Sequence, residues 1–319
     1  MFLLAPPFTA GGRALNVWSQ DGVTANGQVG KQMFLVTDVS GHVGKAVVAE
    51  LARQSVAVRV LTQDPSEAAG LPPGVEAVRG SVDDARLNES LFTGVEAVFA
   101  AAPLSPQMVD VHRAVVNAAK AAGVTRIVQL SGVGADASFC CARVLRWLGQ
   151  AENTAGSGDL QVTRLRPTTL LQNLIEFAPT IAHQGLLAGP FRNTRWAWVD
   201  ARDVAAVAVE ALRNPVHAGR TYTVTGAESL SYQEVVERIS RVIGKPVRYL
   251  DITANEARGW LQAKGASPVM IEAKLEMWDA CASNLINSEP TNVVQEVTGR
   301  APRSVEDFVR DYSERFLHG

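Results

Sequence analysis

Short apolar runs alternate with segments of helical period through most of the chain. The run Met33–Thr37 is typical of a buried strand, and Gly41–Arg53 places Val43 and Val47 on one face, as a helix does. Further strands are predicted at Val56–Leu61, Val75–Arg79, Ala97–Ala101, Arg126–Ser131 and Gln161–Arg166, and further helices at Asp83–Phe92, Gln107–Ala122 and Ala142–Thr154. Strands separated by helix-length segments pair in parallel through right-handed crossovers. The pattern therefore predicts a doubly wound, parallel α/β sheet.

The second half of the chain is predicted to be more helical, and its helix ends are marked. Ser231–Glu234 and Thr253–Glu256 both match the capping box S/T-x-x-E. Gly244 and Gly265 stand where the following helices should end. A last helix is predicted over Ser304–Phe316.

The two halves predict a sheet core and a smaller, mostly helical C-terminal subdomain. Residues 33–180 form the predicted core, and residues 181–319 the predicted subdomain over its ligand edge. Trp196–Val199 and Tyr222–Val224 have the composition of strands, so the segment from about 196 to 226 is predicted to rejoin the sheet.

The first 32 residues differ from the rest. Residues 1–8 are apolar but have no basic residue ahead of them, which is not the layout of a signal peptide, and residues 9–32 are rich in Gly, Gln, Asn and Ser without a period. Two interpretations remain open. The segment is a loosely held extension, or it is an arm that packs on a partner subunit, for which a homodimer is the simplest assembly.

Composition and charge exclude several classes of protein. With 47% hydrophobic residues the chain can bury a sizeable core, so a disordered or fibrous protein is excluded. Thirty Lys+Arg against 32 Asp+Glu give no basic excess for nucleic acid. No apolar run is long enough for a membrane span. Three cysteines cannot form a disulfide framework and predict a reducing, cytoplasmic location.

The first predicted strand leads into a glycine-containing turn, Thr37-Asp38-Val39-Ser40-Gly41-His42-Val43-Gly44. A strand, a glycine turn and a helix form an anion site, because N–H groups at the helix start point at a phosphate and glycine lets the backbone come close. The spacing is G-x-x-G-x-x-G with Asp38 in place of the first glycine.

Asp38 leaves two interpretations open. Its side chain points away and caps a nearby N–H, as aspartate does in turns. Alternatively, its carboxylate faces the pyrophosphate of a dinucleotide and weakens binding.

The end of the second predicted strand does not decide between NAD and NADP. An acidic residue at this place holds the ribose of NAD, and an arginine accepts the 2′-phosphate of NADP. Thr62 and Gln63 stand here, both uncharged, and Arg59 lies inside the strand.

The sequence contains no recognisable set of catalytic groups. None of the four tyrosines, Tyr222, Tyr232, Tyr249 and Tyr312, has a lysine four residues on, so the Tyr-x-x-x-Lys pair of short-chain dehydrogenases is missing. No metal-ligand spacing is visible, and Cys140 and Cys141 have the setting of packed thiols. If a hydride is transferred, the acceptor should need little proton assistance, as a quinone does.

A few residues remain as candidates for the substrate site. Asn173 could orient a substrate carbonyl or hydrogen-bond its own loop. His112, on the predicted helix Gln107–Ala122, is either a core residue or a second orienting group. Trp260 and Trp278 are either core residues or walls of an aromatic pocket.

The chain resembles the NmrA-like family of atypical short-chain dehydrogenases, and within it the quinone and azo- or triphenylmethane-dye reductases. The resemblance covers roughly residues 33–317. It rests on Val36-Thr37 with Gly41 and Gly44, on Leu61–Pro65, on Val109–Asp136, on Leu165-Arg166-Pro167 followed by Gln172-Asn173, on Val199–Ala206 and on Ala218–Tyr222. It implies a Rossmann core that binds NAD or NADP and a C-terminal subdomain that shapes a substrate cleft.

The resemblance also implies which residues contact the cofactor. They are Asp38, Ser40, Gly41, His42, Val43 and Gly44 at the phosphates, Thr62 and Gln63 at the adenosine ribose, Ser81 and Val82 beside adenine, and Ala101, Ala102, Pro103, Ser131 and Pro167 around the nicotinamide. The family usually has glycine where Asp38 stands and often arginine where Gln63 stands. Both departures fall at cofactor contacts.

Three functions follow from these observations. The first is an NAD(P)H-dependent reductase of a small aromatic or quinone-like molecule, in which the cofactor supplies the hydride. The second is a non-redox enzyme, such as a cyclase, isomerase or dehydratase, that uses the same cleft. The third is an NAD(P)-sensing regulator without turnover.

Overall fold

The fold is given by a computed structural model, which describes residues 32–62, 70–81, 91–136, 142–156, 160–283, 286 and 289–319. The strands are β1 Met33–Val36, β2 Ala57–Thr62, β3 Glu76–Arg79, β4 Val95–Ala100, β5 Arg126–Leu130, β6 Gln161–Pro167, β7 Leu186–Gly189, β8 Arg195–Trp196, β9 Thr221–Val224, β10 Leu230–Ser231 and β11 Arg248–Asp251. The α-helices are α1 His42–Arg53, α2 Met108–Ala121, α3 Arg143–Glu152, α4 Ala178–Gln184, α5 Ala201–Arg213, α6 Tyr232–Ile243, α7 Ala254–Ala263, α8 Pro268–Ala282, α9 Val293–Thr298, α10 Val305–Asp311 and α11 Ser313–His318. Short 3₁₀ helices lie at Asn153–Ala155, Leu171–Phe177 and Pro215–His217.

The main sheet has seven strands in the order β3-β2-β1-β4-β5-β6-β9. Every neighbouring pair is parallel. This confirms the predicted doubly wound fold. The chain runs outward in one direction from β1 and in the other from β4, so a crevice opens between the carboxyl ends of these two strands.

Both faces of the sheet are covered, and the strand residues alternate between them. Phe34 and Val36 pack in one apolar cluster with α1 and α5. Leu35, between them, packs in a second cluster with α2. Because both faces are apolar, the strands read as continuous hydrophobic runs, and this is why the sequence predicts them well.

Thr37 joins the carboxyl ends of β1 and β4. Its hydroxyl donates to the carbonyl of Ala101 at 2.8 Å and accepts from the Ala101 N–H at 3.0 Å. Its own N–H donates to the carbonyl of Phe99 at 3.2 Å. These contacts fix the two loops that form the crevice.

One predicted strand does not rejoin the main sheet. Trp196–Val199 was expected there, but Arg195–Trp196 pairs antiparallel with Leu230–Ser231 in a separate two-stranded sheet. The reason is that Trp198 points into the C-terminal apolar cluster and donates from Nε1 to the carbonyl of Leu230 at 3.0 Å. The other expected strand, Tyr222–Val224, does join the main sheet as part of β9 beside β6.

The predicted helix ends hold with one exception. Ser231 and Thr253 both form complete capping boxes. The predicted last helix is divided at Tyr312, whose backbone angles of φ −111° and ψ 20° leave the helical region, so α10 and α11 are separate. The predicted helix Asp83–Phe92 falls largely on residues 82–90, which lie outside the described residues, as does the extension up to residue 31.

Charged residues fasten the C-terminal helices to α5. The buried carboxylate of Asp203 accepts from the Arg303 N–H at 2.7 Å and pairs with the Arg303 guanidinium. Arg202, the residue before Asp203 in α5, pairs with Asp311 at 2.6 Å. The last helices therefore pack against the core through a partly buried ionic contact.

We expect Gly44→Ala to lower the free energy of unfolding by about 2 kcal/mol or more. A Cβ at Gly44 would lie 2.0 Å from the carbonyl oxygen of Asp38, so α1 would have to move away from the end of β1. Urea denaturation measures the change. Gly41→Ala is the control, because a Cβ there would meet only Asp38 Oδ2, at 3.8 Å. Equal stability of the two variants would contradict this packing.

Candidate active site

The glycine turn forms one wall of the crevice. Gly41 is the N-cap of α1 in an extended conformation, with φ −83° and ψ 162°, and no side chain of the described residues caps the helix there. The Asp38 Oδ1 atom accepts from the Ser40 N–H at 2.9 Å and from the Ser40 hydroxyl at 2.7 Å. Asp38 thus makes the capping contact that one interpretation expected, while its charge remains in the wall of the crevice.

The crevice holds a cavity of about 540 Å³, within the range of ligand sites. Most of the predicted cofactor residues line it. They are Asp38, Ser40, Gly41, His42, Val43, Gly44, Ala101, Ala102, Pro103, Ser131 and Pro167. We call this space the cofactor cavity.

The cofactor cavity fits a dinucleotide phosphate at Gly41. Neither φ nor packing within the described chain demands glycine there, since a Cβ would be in contact with one side-chain atom only. The space that this Cβ would take is open to a ligand. His42 adds little positive charge to the turn, because burial and the nearby Lys45 cation lower its pKa below the ordinary value.

The lining of this cavity includes none of the other predicted cofactor residues that the structure describes. Thr62 and Ser81 are described and do not line the cofactor cavity. Gln63 and Val82 fall outside the described residues, and so do Cys140 and Cys141. Arg59 is held inside the fold, since it donates to the carbonyls of Leu91 and Thr93 at 2.8 and 2.9 Å.

A second cavity of about 430 Å³ adjoins the first. The two share part of their walls, namely Leu104, Val144, Thr169, Asn173, Trp196 and Met277. We call the second space the aromatic cavity, because rings form much of its wall: Phe177, Phe191, Trp196, Tyr232, Trp260 and Trp278. Trp260 and Trp278 therefore do line a pocket.

Phe191 is the centre of the ring contacts. Its ring stacks on Tyr232 with centroids 3.8 Å apart, and meets Trp278 edge to face at 5.4 Å. Phe177 meets it edge to face at 6.3 Å and itself stacks on Trp260 at 5.7 Å. Flat apolar faces of this kind accept a planar conjugated molecule.

Asn173 lies where the two cavities meet. It belongs to the 3₁₀ helix Leu171–Phe177, in which residues three apart share a face. Asn173 and Glu176 both line the aromatic cavity, while Leu171 and Leu174 are fully buried on another face. The Asn173 side chain makes no hydrogen bond to any residue that the structure describes, so its amide is available to a ligand.

The 3₁₀ helix is held from beneath by a buried pair. Gln172 donates to Asp200 Oδ1 at 2.9 Å and accepts from the Ala201 N–H at 2.9 Å. Burial alone would favour the neutral acid, yet hydrogen bonds from Arg202 and Gln172 keep the pKa of Asp200 below its ordinary value. Asn173 therefore sits on a rigid support.

His112 lies away from both cavities. It is 1% exposed, on α2, and its Nδ1 atom is 3.3 Å from the Gln129 amide nitrogen. Burial lowers its pKa from 6.5 to about 4. The structure thus surrounds His112 with protein and gives it no contact with the space at Asn173.

Among the described residues, Thr194 is the one that lines a cavity wall with a buried hydroxyl that has no hydrogen-bond partner. It lines the aromatic cavity and is 6% exposed. Its Oγ1 atom has no hydrogen-bond partner among the described residues. Sequence inspection missed it, together with Phe191 and Tyr232, because nothing in their local sequence marks a pocket.

The described residues offer little for other kinds of site. Among the described residues no cluster of His, Cys, Asp or Glu could hold a metal ion. No helix within the described part of the chain is long and apolar enough to cross a membrane.

A parallel sheet with a glycine turn at its switch point defines a Rossmann-type, dinucleotide-binding class of fold. Comparison with known proteins places the chain within that class. The model of the NmrA-like family matches residues 30–277. The chain belongs to the NmrA-like family, as its sequence motifs predicted.

This chain matches the following two relatives over almost their whole length. The NAD(P)H azoreductase of Xenophilus azovorans is 32% identical over 285 residues, which is 89% of this chain and 99% of the relative. The (4-alkanoyl-5-oxo-2,5-dihydrofuran-3-yl)methyl phosphate reductase of Streptomyces griseus is 34% identical over 284 residues, again 89% and 99%. Among solved structures, the NADPH complex of an Escherichia coli quinone oxidoreductase superposes with a TM-score of 0.77 at 21% identity, covering 88% of this chain and 100% of that one.

We expect Thr194→Val to leave the free energy of unfolding unchanged within ~0.5 kcal/mol, because it removes a hydroxyl without a partner. Thr168→Val is the matched control. Thr168 is equally buried, at 5% exposed, but its hydroxyl donates to the Ala197 carbonyl at 2.5 Å. We expect this control to lose about 1–2 kcal/mol. Chemical denaturation of both variants makes the comparison, and an equal loss in both would show that Thr194 is paired.

We expect His112 to make stability fall in mild acid. The folded state keeps His112 neutral down to a pKa of about 4, whereas the unfolded chain takes up a proton near 6.5. The unfolded state therefore binds more protons between these values, and stability is full above pH ~6.5 and declines as the pH falls towards ~4, by about 3 kcal/mol.

Urea midpoints between pH 4 and pH 7 test this dependence. For His112→Gln, the urea midpoint should change less between pH 7 and pH 4 than it does for the wild type. His318→Ala, at an exposed position, should show the same change as the wild type. Identical profiles for wild type and His112→Gln would exclude His112 as the source.

Proposed function

We propose that the protein is an NAD(P)H-dependent oxidoreductase that reduces a small aromatic or quinone-like molecule. One observation carries the proposal. The cofactor cavity at the glycine turn adjoins the aromatic cavity, and the two share Asn173, Thr169 and Trp196 in their common wall. A nicotinamide in the first space and a planar acceptor in the second would meet at that wall.

The residues of the chain bind the cofactor, orient the acceptor and enclose both. Gly41 and the N–H groups at the start of α1 would hold the phosphates, and Ala101–Pro103, Ser131 and Pro167 would surround the nicotinamide. When bound, the cofactor supplies the hydride. The aromatic rings hold the acceptor flat and exclude water, and the Asn173 amide donates to an acceptor oxygen.

We assign to solvent the proton that the reduced acceptor takes up. Tyr232 lies in the aromatic cavity, but burial raises its pKa well above its ordinary value and Val236 stands where a partner lysine would be. A phenol of this kind holds its proton tightly and is a poor acid towards the substrate. An acceptor whose reduced form is a weak base, such as a quinone, suits this site because it needs no acid in the reduction step.

Family relationships support the same activity. The azoreductase and the phosphate-ester reductase are both reductases, and the first is named for its use of NAD(P)H. The three cysteines support a reducing, cytoplasmic location.

The test is oxidation of NADPH and NADH, followed by absorbance, with menadione, an azo dye and a triphenylmethane dye as acceptors. We expect acceptor-dependent oxidation with at least one of them. Gly41→Ala is the variant that tests the phosphate site. It should fold normally, but its methyl group would fill the phosphate space and raise the KM for the dinucleotide. Tight dinucleotide binding without turnover of any acceptor would favour a sensor.

We expect Asp38→Asn to tighten dinucleotide binding by roughly three- to tenfold at low salt. The amide keeps an oxygen for the Ser40 N–H but removes a charge from the wall of the cofactor cavity. The gain should shrink at high salt because it is electrostatic. Titration of both proteins by nicotinamide fluorescence at two ionic strengths measures it.

Two results would contradict this expectation. Tight binding by the wild type with no gain in the variant would show that the charge is directed away from the ligand. No binding by either protein would favour a non-redox enzyme in the same cleft.

A further inference from the structure

Phe191 enters the aromatic cavity on an unusual turn. The chain leaves β7 at Gly189 and reverses through Pro190, Phe191 and Arg192, and the Thr194 N–H then donates to the Phe191 carbonyl at 3.0 Å. Arg192 has a φ of +49°, in the left-handed region that residues with a Cβ seldom adopt. This conformation costs energy, so something must hold it.

The holding contacts come from the end of β11, which pairs in parallel with β7 and places Asp251 beside Gly189. Asp251 Oδ1 accepts from the Arg192 N–H at 2.8 Å. The Tyr249 hydroxyl accepts from the Phe191 N–H at 3.1 Å and lies 2.8 Å from both the Gly189 carbonyl and Asp251 Oδ1. Burial and the bond to Asp251 raise the pKa of Tyr249, so the hydroxyl keeps its proton.

We call Tyr249 and Asp251 the clamp, and they act on the aromatic cavity from outside it. Neither Tyr249 nor Asp251 lines the aromatic cavity, whereas Phe191 and Thr194, at the two ends of the turn, both do. The turn also leaves no room for adjustment beside Phe191, because a Cβ at Gly189 would lie 2.0 Å from the Phe191 ring. Release of the turn would therefore move the ring on which Tyr232 stacks and against which Trp278 and Phe177 pack.

We propose that Asp251 and Tyr249 are positioning residues that hold the Phe191–Thr194 turn, and through it the ring face and hydroxyl offered to an aromatic substrate. The inference rests on the proposed function, since it assigns the aromatic cavity to the substrate. Affinity for the aromatic ligand depends on the clamp, and affinity for the dinucleotide does not.

The experiment measures binding apart from turnover. Naphthol serves as a non-reducible aromatic ligand, followed by quenching of tryptophan fluorescence, and NADPH binding is followed by its own emission. Asp251→Ala should weaken naphthol binding by roughly fivefold or more, the scale of the left-handed penalty, and leave the NADPH Kd within twofold. Tyr249→Phe should likewise weaken naphthol binding and leave NADPH binding unchanged. Asp251→Asn keeps an acceptor oxygen, so both affinities should stay near those of the wild type.

Glycine at position 192 gives the decisive control. Glycine adopts positive φ without penalty, so Asp251→Ala combined with Arg192→Gly should regain naphthol affinity. Asp251→Ala combined with Arg192→Ala should not, although it loses the same exposed pair with Asp279. A merely structural role for Asp251 would not distinguish these two double variants.

The outcomes separate this inference from the proposed function. Unchanged naphthol affinity in Asp251→Ala and Tyr249→Phe, or equal affinity in the two double variants, would overturn the clamp while quinone turnover could persist. The expected pattern of affinities in a protein that oxidises no NADPH would support the clamp and overturn the reductase. Failure of the wild type to bind naphthol would overturn the clamp as a substrate-positioning device.

Discussion

The close approach of α1 to the end of β1 sets the geometry of the whole cleft. Gly44 permits it, because any Cβ there would run into the Asp38 carbonyl. With α1 in this position its open N-terminus faces the crevice between β1 and β4, and Thr37 fixes the opposite loop by bonding to Ala101. The walls of the cofactor cavity thus depend on one missing methyl group and one hydroxyl.

The aromatic cavity depends on a different kind of constraint. Its rings come from segments far apart in the chain, and Phe191 is the one that touches most of the others. Phe191 also belongs to the large apolar cluster that includes α6 and the C-terminal helices α10 and α11. Asp203 and Arg303 attach these helices to the core. The wall of the aromatic cavity is therefore continuous with helices that follow residues 30–277, the part matched by the family model.

The parallel sheet and the glycine turn could be predicted from sequence because their signals are local. Strands buried on both faces appear as apolar runs, and a turn that needs Gly44 shows it in the chain. Trp196–Val199 misled for a physical reason: tryptophan suits a strand wherever that strand lies, and only tertiary packing on Leu230 decides which sheet it joins. The positions of Phe191, Thr194 and Tyr232 in one cavity likewise arise from contacts between distant segments, which periodicity does not contain.

The wall shared by the two cavities has a consequence for the order of events. Because Asn173, Thr169 and Trp196 border both spaces, nicotinamide and acceptor can occupy the protein together, and neither has to leave for the other to enter. Direct hydride transfer between ligands held in these two spaces would pass through a ternary complex, with sequential and not ping-pong kinetics. A ligand that displaced Asn173 or Trp196 would change the affinity for the other ligand, and that effect would be reciprocal between the two.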